Sequence, residues 1–112
     1  MPKPTAFLKG FGLHRGSSIG GYVLTSTEST HEVVARYREY CYDIRLTFSP
    51  QEEANIKTLI REINAITSDS HIINSQYGNP YKCVIDKPLR TDFKGTKSVV
   101  TVDLIGHSYR IK

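Results

Sequence analysis

Residues 40–66 read YCYDIRLTFSPQEEANIKTLIREINAI, and this stretch decides the fold. Its first nine residues alternate. Tyr40, Tyr42, Ile44, Leu46 and Phe48 fall on one side, and Cys41, Asp43, Arg45 and Thr47 on the other. Side chains on a strand point to opposite faces in turn, so this is a half-buried antiparallel strand with one dry and one wet face. The period then changes. Ile56, Leu59, Ile60, Ile63 and Ile66 recur every three or four residues, which on a helix makes a single apolar stripe. Ser49, Pro50 and Glu52 fit an N-cap, a first-turn proline and the reciprocal carboxylate of a capping box. The helix is therefore expected to start at Ser49 and to end near Ile66–Ser68. Glu52 and Glu53 are read as capping charges at the positive end of its dipole.

Upstream, the strand reading extends to Val33, giving one long strand over Val33–Phe48. Arg36 and Arg38 on its apolar side place its first part beyond the core. Tyr22–Thr27 has strand composition, and the polar Glu28–Glu32 reads as a loop. Downstream, His71–Gln76 and Tyr81–Asp86 flank a Tyr77-Gly78-Asn79-Pro80 turn and form a hairpin. Lys87–Gly95 reads as a charged loop, since Pro88 cannot donate to a ladder. Thr96–Ile105 is a last strand. Gly106 is expected to mark a bulge, after which His107, Tyr109 and Ile111 continue an apolar face in shifted parity.

The fold class that follows is α+β: an antiparallel sheet or open barrel of about five strands, with one amphipathic helix packed against it. Residues 22–112 make up this single domain. Residues 1–21, with two prolines and five glycines, form an extended arm. The arm nevertheless carries Phe7, Leu8, Phe11, Leu13 and Ile19. So many large apolar groups imply that it docks, either on its own domain or on a neighbouring subunit. A chain of 112 residues that spends about a fifth of its length this way is expected to complete its burial on a neighbour.

The net charge of +4 is unevenly spread. The arm is basic, residues 28–69 are acidic, and residues 70–112 are basic again. No apolar run reaches the roughly 18 residues of a membrane helix, and the first residues lack the apolar core of a secretory signal. A cytoplasmic or virion location is expected, with no membrane partner. Cys41 and Cys83 form no CxxC pair, and His14, His31, His71 and His107 have no metal-ligand spacing. No catalytic residue, metal or cofactor is therefore expected. Cys41 with His107 can be drawn as a nucleophile and its base, but two cysteines and four histidines give such pairings by chance, and a small enzyme would use Cys41, Cys83 or a histidine as its reactive group.

Two functions remain. The first is a non-enzymatic assembly subunit that contacts copies of itself or other subunits. Its candidate interface residues are Phe7, Leu8, Phe11, Leu13, Arg15, Arg36, Arg38 and Tyr40. A helix on an antiparallel sheet with a long protruding strand and an arm looks like the small subunits of phage tail and neck assemblies. This is a likeness of predicted shape, not of matched residues. The second is a small basic nucleic-acid-binding protein, with Arg36, Tyr37, Arg38, Lys94, Lys97 and Arg110 as candidate contacts, since aromatic and cationic side chains on a strand can stack bases.

Overall fold

A computed structural model describes residues 3–34, 39–75, 77–92 and 98–111. The chain runs through α1 (Pro4–Lys9), β1 (Ser18–Ile19), β2 (Tyr22–Val34), β3 (Glu39–Pro50), α2 (Ile56–Ser68), β4 (His71–Asn74), β5 (Pro80–Asp92) and β6 (Val100–Arg110). The strands form one antiparallel sheet in the order β1-β2-β3-β6-β5-β4. It curves into a half-barrel, with the two helices as the α part of a β-rich α+β fold.

The alternation in β3 is realised as expected. Tyr42, Ile44, Leu46 and Phe48 are buried, and opposite the last three on β6 stand Leu104, Val102 and Val100, also buried. Tyr22 and Leu24 on β2 and Cys83 and Ile85 on β5 extend this inner face. The α2 stripe covers it as predicted, with Leu59 and Ile63 fully buried and Ile56 and Ile66 packed at the margin.

The capping box is corrected. Ser49 and Pro50 are the last residues of β3, paired with Val23 and Tyr22. Asn55 caps α2 instead, its side chain accepting from the amides of Lys57 at 3.1 Å and Thr58 at 3.3 Å. The reason lies across the sheet. The carbonyls of Gly21 and Gly20 accept the amides of Gln51 and Asn55, which holds the chain against the β1–β2 turn for one more turn before the helix can begin.

Three further expectations change. Val33–Phe48 is not one strand: Val34 pairs with Glu39 and Val33 with Tyr40, so the chain reverses between them. Glu28–Glu32 is not a loop but part of β2, paired residue for residue with Cys41–Arg45. Lys87 to Asp92 belongs to β5, where the register shifts between Asp86 and Arg90 and accommodates Pro88.

Gly106 marks no bulge. It sits in unbroken register between Tyr42 and Ile85. A Cβ there would run into the Phe7 ring, which stacks on Tyr42 with centroids 4.2 Å apart. The glycine thus opens the place where α1 lies on the sheet. Parity is also kept. Ser108 stays on the inner face, fully buried, with its Oγ 3.0 Å from the Tyr42 hydroxyl, while His107 and Tyr109 face outward.

Two buried tyrosines give opposite expectations for the same substitution. Among the described residues the Tyr22 hydroxyl has no partner, whereas Tyr42 bonds Ser108. Tyr42→Phe strands the Ser108 hydroxyl and should cost about 1–3 kcal/mol. Tyr22→Phe removes an unpaid desolvation and should be neutral or stabilising by up to about 1 kcal/mol. Urea midpoints of the two variants should move in opposite directions or differ clearly. A larger loss in Tyr22→Phe would contradict the packing described.

Candidate functional site: the open edge of the sheet

The predicted interface residues separate. Phe7, Leu8, Phe11 and Leu13 lie in the chain's own core, none more than 7% exposed. Of the two hosts that the sequence left open for the arm, the structure supplies the sheet of the same chain. His71 secures the contact: its Nε2 lies 2.8 Å from the Phe7 carbonyl, and its ring packs edge-on against Phe11. Arg15 is exposed. Tyr40 is half-buried against Tyr81, with ring centroids 5.6 Å apart, and burial followed by the Tyr81 hydroxyl raises its pKa. Arg36 and Arg38 lie outside the described residues, as do Tyr37, Lys94 and Lys97.

Arg110 donates to the Asn79 side chain at 3.2 Å. The strands leading into residues 35–38 end beside Tyr109, and those leading into residues 93–97 end beside Thr101. At about 3.3 Å per residue these ends are on the order of 25 Å apart. The described outer face between them carries Glu28, Glu32, Asp43, Asp86 and Asp103 against Arg45 and His107. Arg45 is already engaged by Asp103 through two bonds, at 2.9 and 3.3 Å. This is a poor field for a polyanion.

The Cys41 and His107 pair is real in register. They stand directly opposite on β3 and β6, and His107 Nδ1 lies 2.8 Å from Asp86 Oδ2. The order Cys, His, Asp matches a nucleophile, base and orienting acid. The electrostatics run the other way. Burial, then Glu39, Glu32 and Asp86, raise the Cys41 pKa, whereas a nucleophilic thiol needs it lowered. Burial pushes Cys83 up to about 12. Both thiols should therefore react with iodoacetamide at pH 7 more slowly than free cysteine, and Cys83 only on unfolding. The folded state holds these protons more tightly than the unfolded chain. The stabilisation from each is thus complete below the ordinary pKa of 9.0 and is lost above it, for Cys83 as pH climbs towards 12. Rapid labelling of one thiol at neutral pH would restore the catalytic reading. No metal-binding group of three or more His, Cys, Asp or Glu occurs among the described residues.

What the sequence reading missed is the edge of β2. The short β1 pairs only with Tyr22 and Val23. Just beyond, the Leu24 amide donates to the Ser17 carbonyl and the Leu24 carbonyl accepts from Gly16, so the backbone of Leu24 faces away from β3. A bulge at Thr25 resets the phase, with Thr25 and Ser26 both opposite Thr47. By alternation Thr27, Ser29 and His31 then turn their N–H and C=O outward. Among the described residues no strand pairs with this side from Ser26 to Val34. The sequence did hold a signal: residues 22–34 contain five Ser or Thr before His31 and no Gly, Pro, Asn or Asp to turn the chain.

The sheet's other long edge differs. β4 covers Pro80–Cys83 of β5, and the rest of β5 carries Lys87, Pro88, Arg90 and a register shift. Lysine, proline and bulges are the devices by which natural edges refuse a partner. β2 from Thr27 to Glu32 has no lysine, proline or bulge, and its charged side chains are Glu28 and Glu32. No protein-family model, curated protein or solved structure matches this chain. Among the described residues, no helix is long and apolar enough to cross a membrane.

Proposed function

We propose that this protein is a non-enzymatic assembly subunit that joins its complex by strand addition along β2. The observation that carries the reading is the unpaired edge from Thr27 to Glu32, free of lysine, proline and bulge among the described residues, on a sheet whose other long edge carries Pro88 and a register shift. Such an edge offers a ready row of backbone donors and acceptors, and pairing with another chain satisfies them. The raised thiol pKa values and the acidic character of the described outer face favour this over catalysis or nucleic-acid binding. A virion tail or neck is an assembly of the kind that the overall shape suits, with the 45 Å long axis available for contacts between neighbours.

Ser29→Pro tests the reading. Proline there removes one outward N–H, while the bonds to β3 come from the neighbouring residues Glu28 and Thr30, paired with Arg45 and Asp43. The variant should keep its circular dichroism spectrum and lose at least tenfold in association, measured by sedimentation. Wild type that stays monomeric up to millimolar concentration and pairs with no strand peptide of β2 would overturn the proposal. So would a folded Ser29→Pro variant that associates as wild type does.

A further inference from the structure

We infer that the first occupant of this edge is a second copy of the chain, with the two β2 strands antiparallel about a two-fold axis through Ser29. The inference rests on the strand-addition reading and adds to it a partner and a register. The choice of a second copy follows from the contrast between the edges. A head-to-tail ring or filament would have to pair β2 with the far end of the sheet, which offers only the four-residue β4 and the part of β5 that carries Pro88 and a register shift. Pairing β2 with itself uses only the permissive edge and closes on two-fold symmetry.

The register follows from charge. Directly opposed side chains in an antiparallel pair share a face, and like charges placed opposite repel. An axis through Glu28 sets that carboxylate against its own copy. An axis through Thr30 sets Glu28 against Glu32 of the second copy. An axis through His31 places two imidazoles face to face and Glu28 opposite Val34. An axis through Thr27 runs the pairing into Tyr22 and Val23, which β1 already holds. The axis through Ser29 avoids all of these. It places Glu28 opposite Thr30, Glu32 opposite Ser26 and His31 opposite Thr27, so each charged or titratable group meets a hydroxyl.

The backbone agrees with this choice. Thr27, Ser29 and His31 are the residues whose N–H and C=O face the open side. About Ser29 they form three pairs, each exchanging two hydrogen bonds. The two half-barrels would then share one continuous sheet. Ser26 marks one end of the contact because the Thr25 bulge and the Gly16–Leu24 bond begin there.

The experiment uses the full chain with Cys41→Ser, so that the only half-exposed native thiol is absent. Glu28→Cys and Thr30→Cys are made as separate proteins and oxidised alone and mixed. The expected result is a disulfide-linked dimer at least tenfold more abundant in the mixture than in either protein alone, because these two positions oppose each other as a close pair about Ser29. Linkage of Glu28→Cys to itself places the axis at Glu28 and overturns the register. Linkage of Thr30→Cys to Glu32→Cys places it at His31 and does the same. A mass above the monomer with no link in any combination overturns the two-fold pairing while leaving strand addition to another surface intact. A monomer throughout that still captures a β2 strand peptide overturns the second copy alone, whereas a monomer that captures none overturns both.

Discussion

Deleting residues 1–20 will unfold the protein rather than release a trimmed and soluble domain. Phe7, Leu8, Phe11, Leu13 and Ile19 all lie in the one hydrophobic cluster that also contains β3, β6 and α2. Burying a large apolar side chain stabilises by roughly 1.5–3 kcal/mol. Five of them contribute on the order of 10 kcal/mol, comparable to the whole stability of a small domain, about 5–15 kcal/mol. Truncation also exposes Gly106 and Tyr42, which the Phe7 ring covers. The expected result is loss of the cooperative thermal transition seen by circular dichroism. Phe7→Ala alone should cost about 3–5 kcal/mol through the cavity it leaves. A truncated chain that melts cooperatively near the temperature of the full chain would show that the arm is no part of the core. The truncation also cannot serve as a test of assembly, since loss of the fold and loss of association would coincide.

Gly21→Ala should be strongly destabilising for the addition of a single methyl group. Gly21 has φ +80°, where an L residue costs roughly 1–2 kcal/mol. Its added Cβ would also lie 2.5 Å from the Glu53 carbonyl oxygen and 2.7 Å from the Ala54 Cα, both backbone atoms that cannot rotate away. Overpacking of this kind adds about 1–3 kcal/mol. Gly16→Ala is the matched control: φ is +94°, but nothing lies within 4 Å of the new Cβ. It should lose only the conformational part. Denaturant midpoints should therefore place Gly21→Ala about 1–3 kcal/mol below Gly16→Ala. Equal losses would mean that the turn before β2 does not press against residues 53–54. Gly20 repeats the arrangement against the Leu59 amide at 2.6 Å, so both glycines fix where β3 hands over to α2.

This contact explains why the helix starts later than the Ser49-Pro50-x-Glu52 pattern predicts. The Ser49-Pro50-x-Glu52 pattern is a sound local signal, but Ser49 had already been claimed by Val23 across the sheet. A cap is chosen locally only when the backbone is free to choose. The same competition misled the reading of β2. Glu28, His31 and Glu32 look like loop residues because polar side chains usually accompany turns. On an edge strand Glu28 and Glu32 are simply residues that face water, whereas His31 is half-buried opposite Tyr42, and their pairing with β3 depends on residues nine to seventeen positions away. Gly106 is a third case. A glycine in a strand signals close approach or a bulge. Only the position of Phe7, ninety-nine residues earlier, decides between them.

The sequence by itself determined what depends on short-range periodicity. The two-residue alternation of Tyr42–Phe48 and the helical stripe Leu59–Ile63 name their own inner faces, because the backbone geometry sets those periods regardless of what lies opposite. The tertiary structure decided everything that depends on pairing. It divided Val33–Phe48 between two strands and extended β2 through Glu28–Glu32. It brought the arm home to its own sheet and left the N–H and C=O groups of Thr27, Ser29 and His31 on the open side of β2. The physical reason is that a strand's hydrogen bonds are made with another segment. Whether an edge is filled or open is a property of the neighbour, and no local pattern encodes the neighbour.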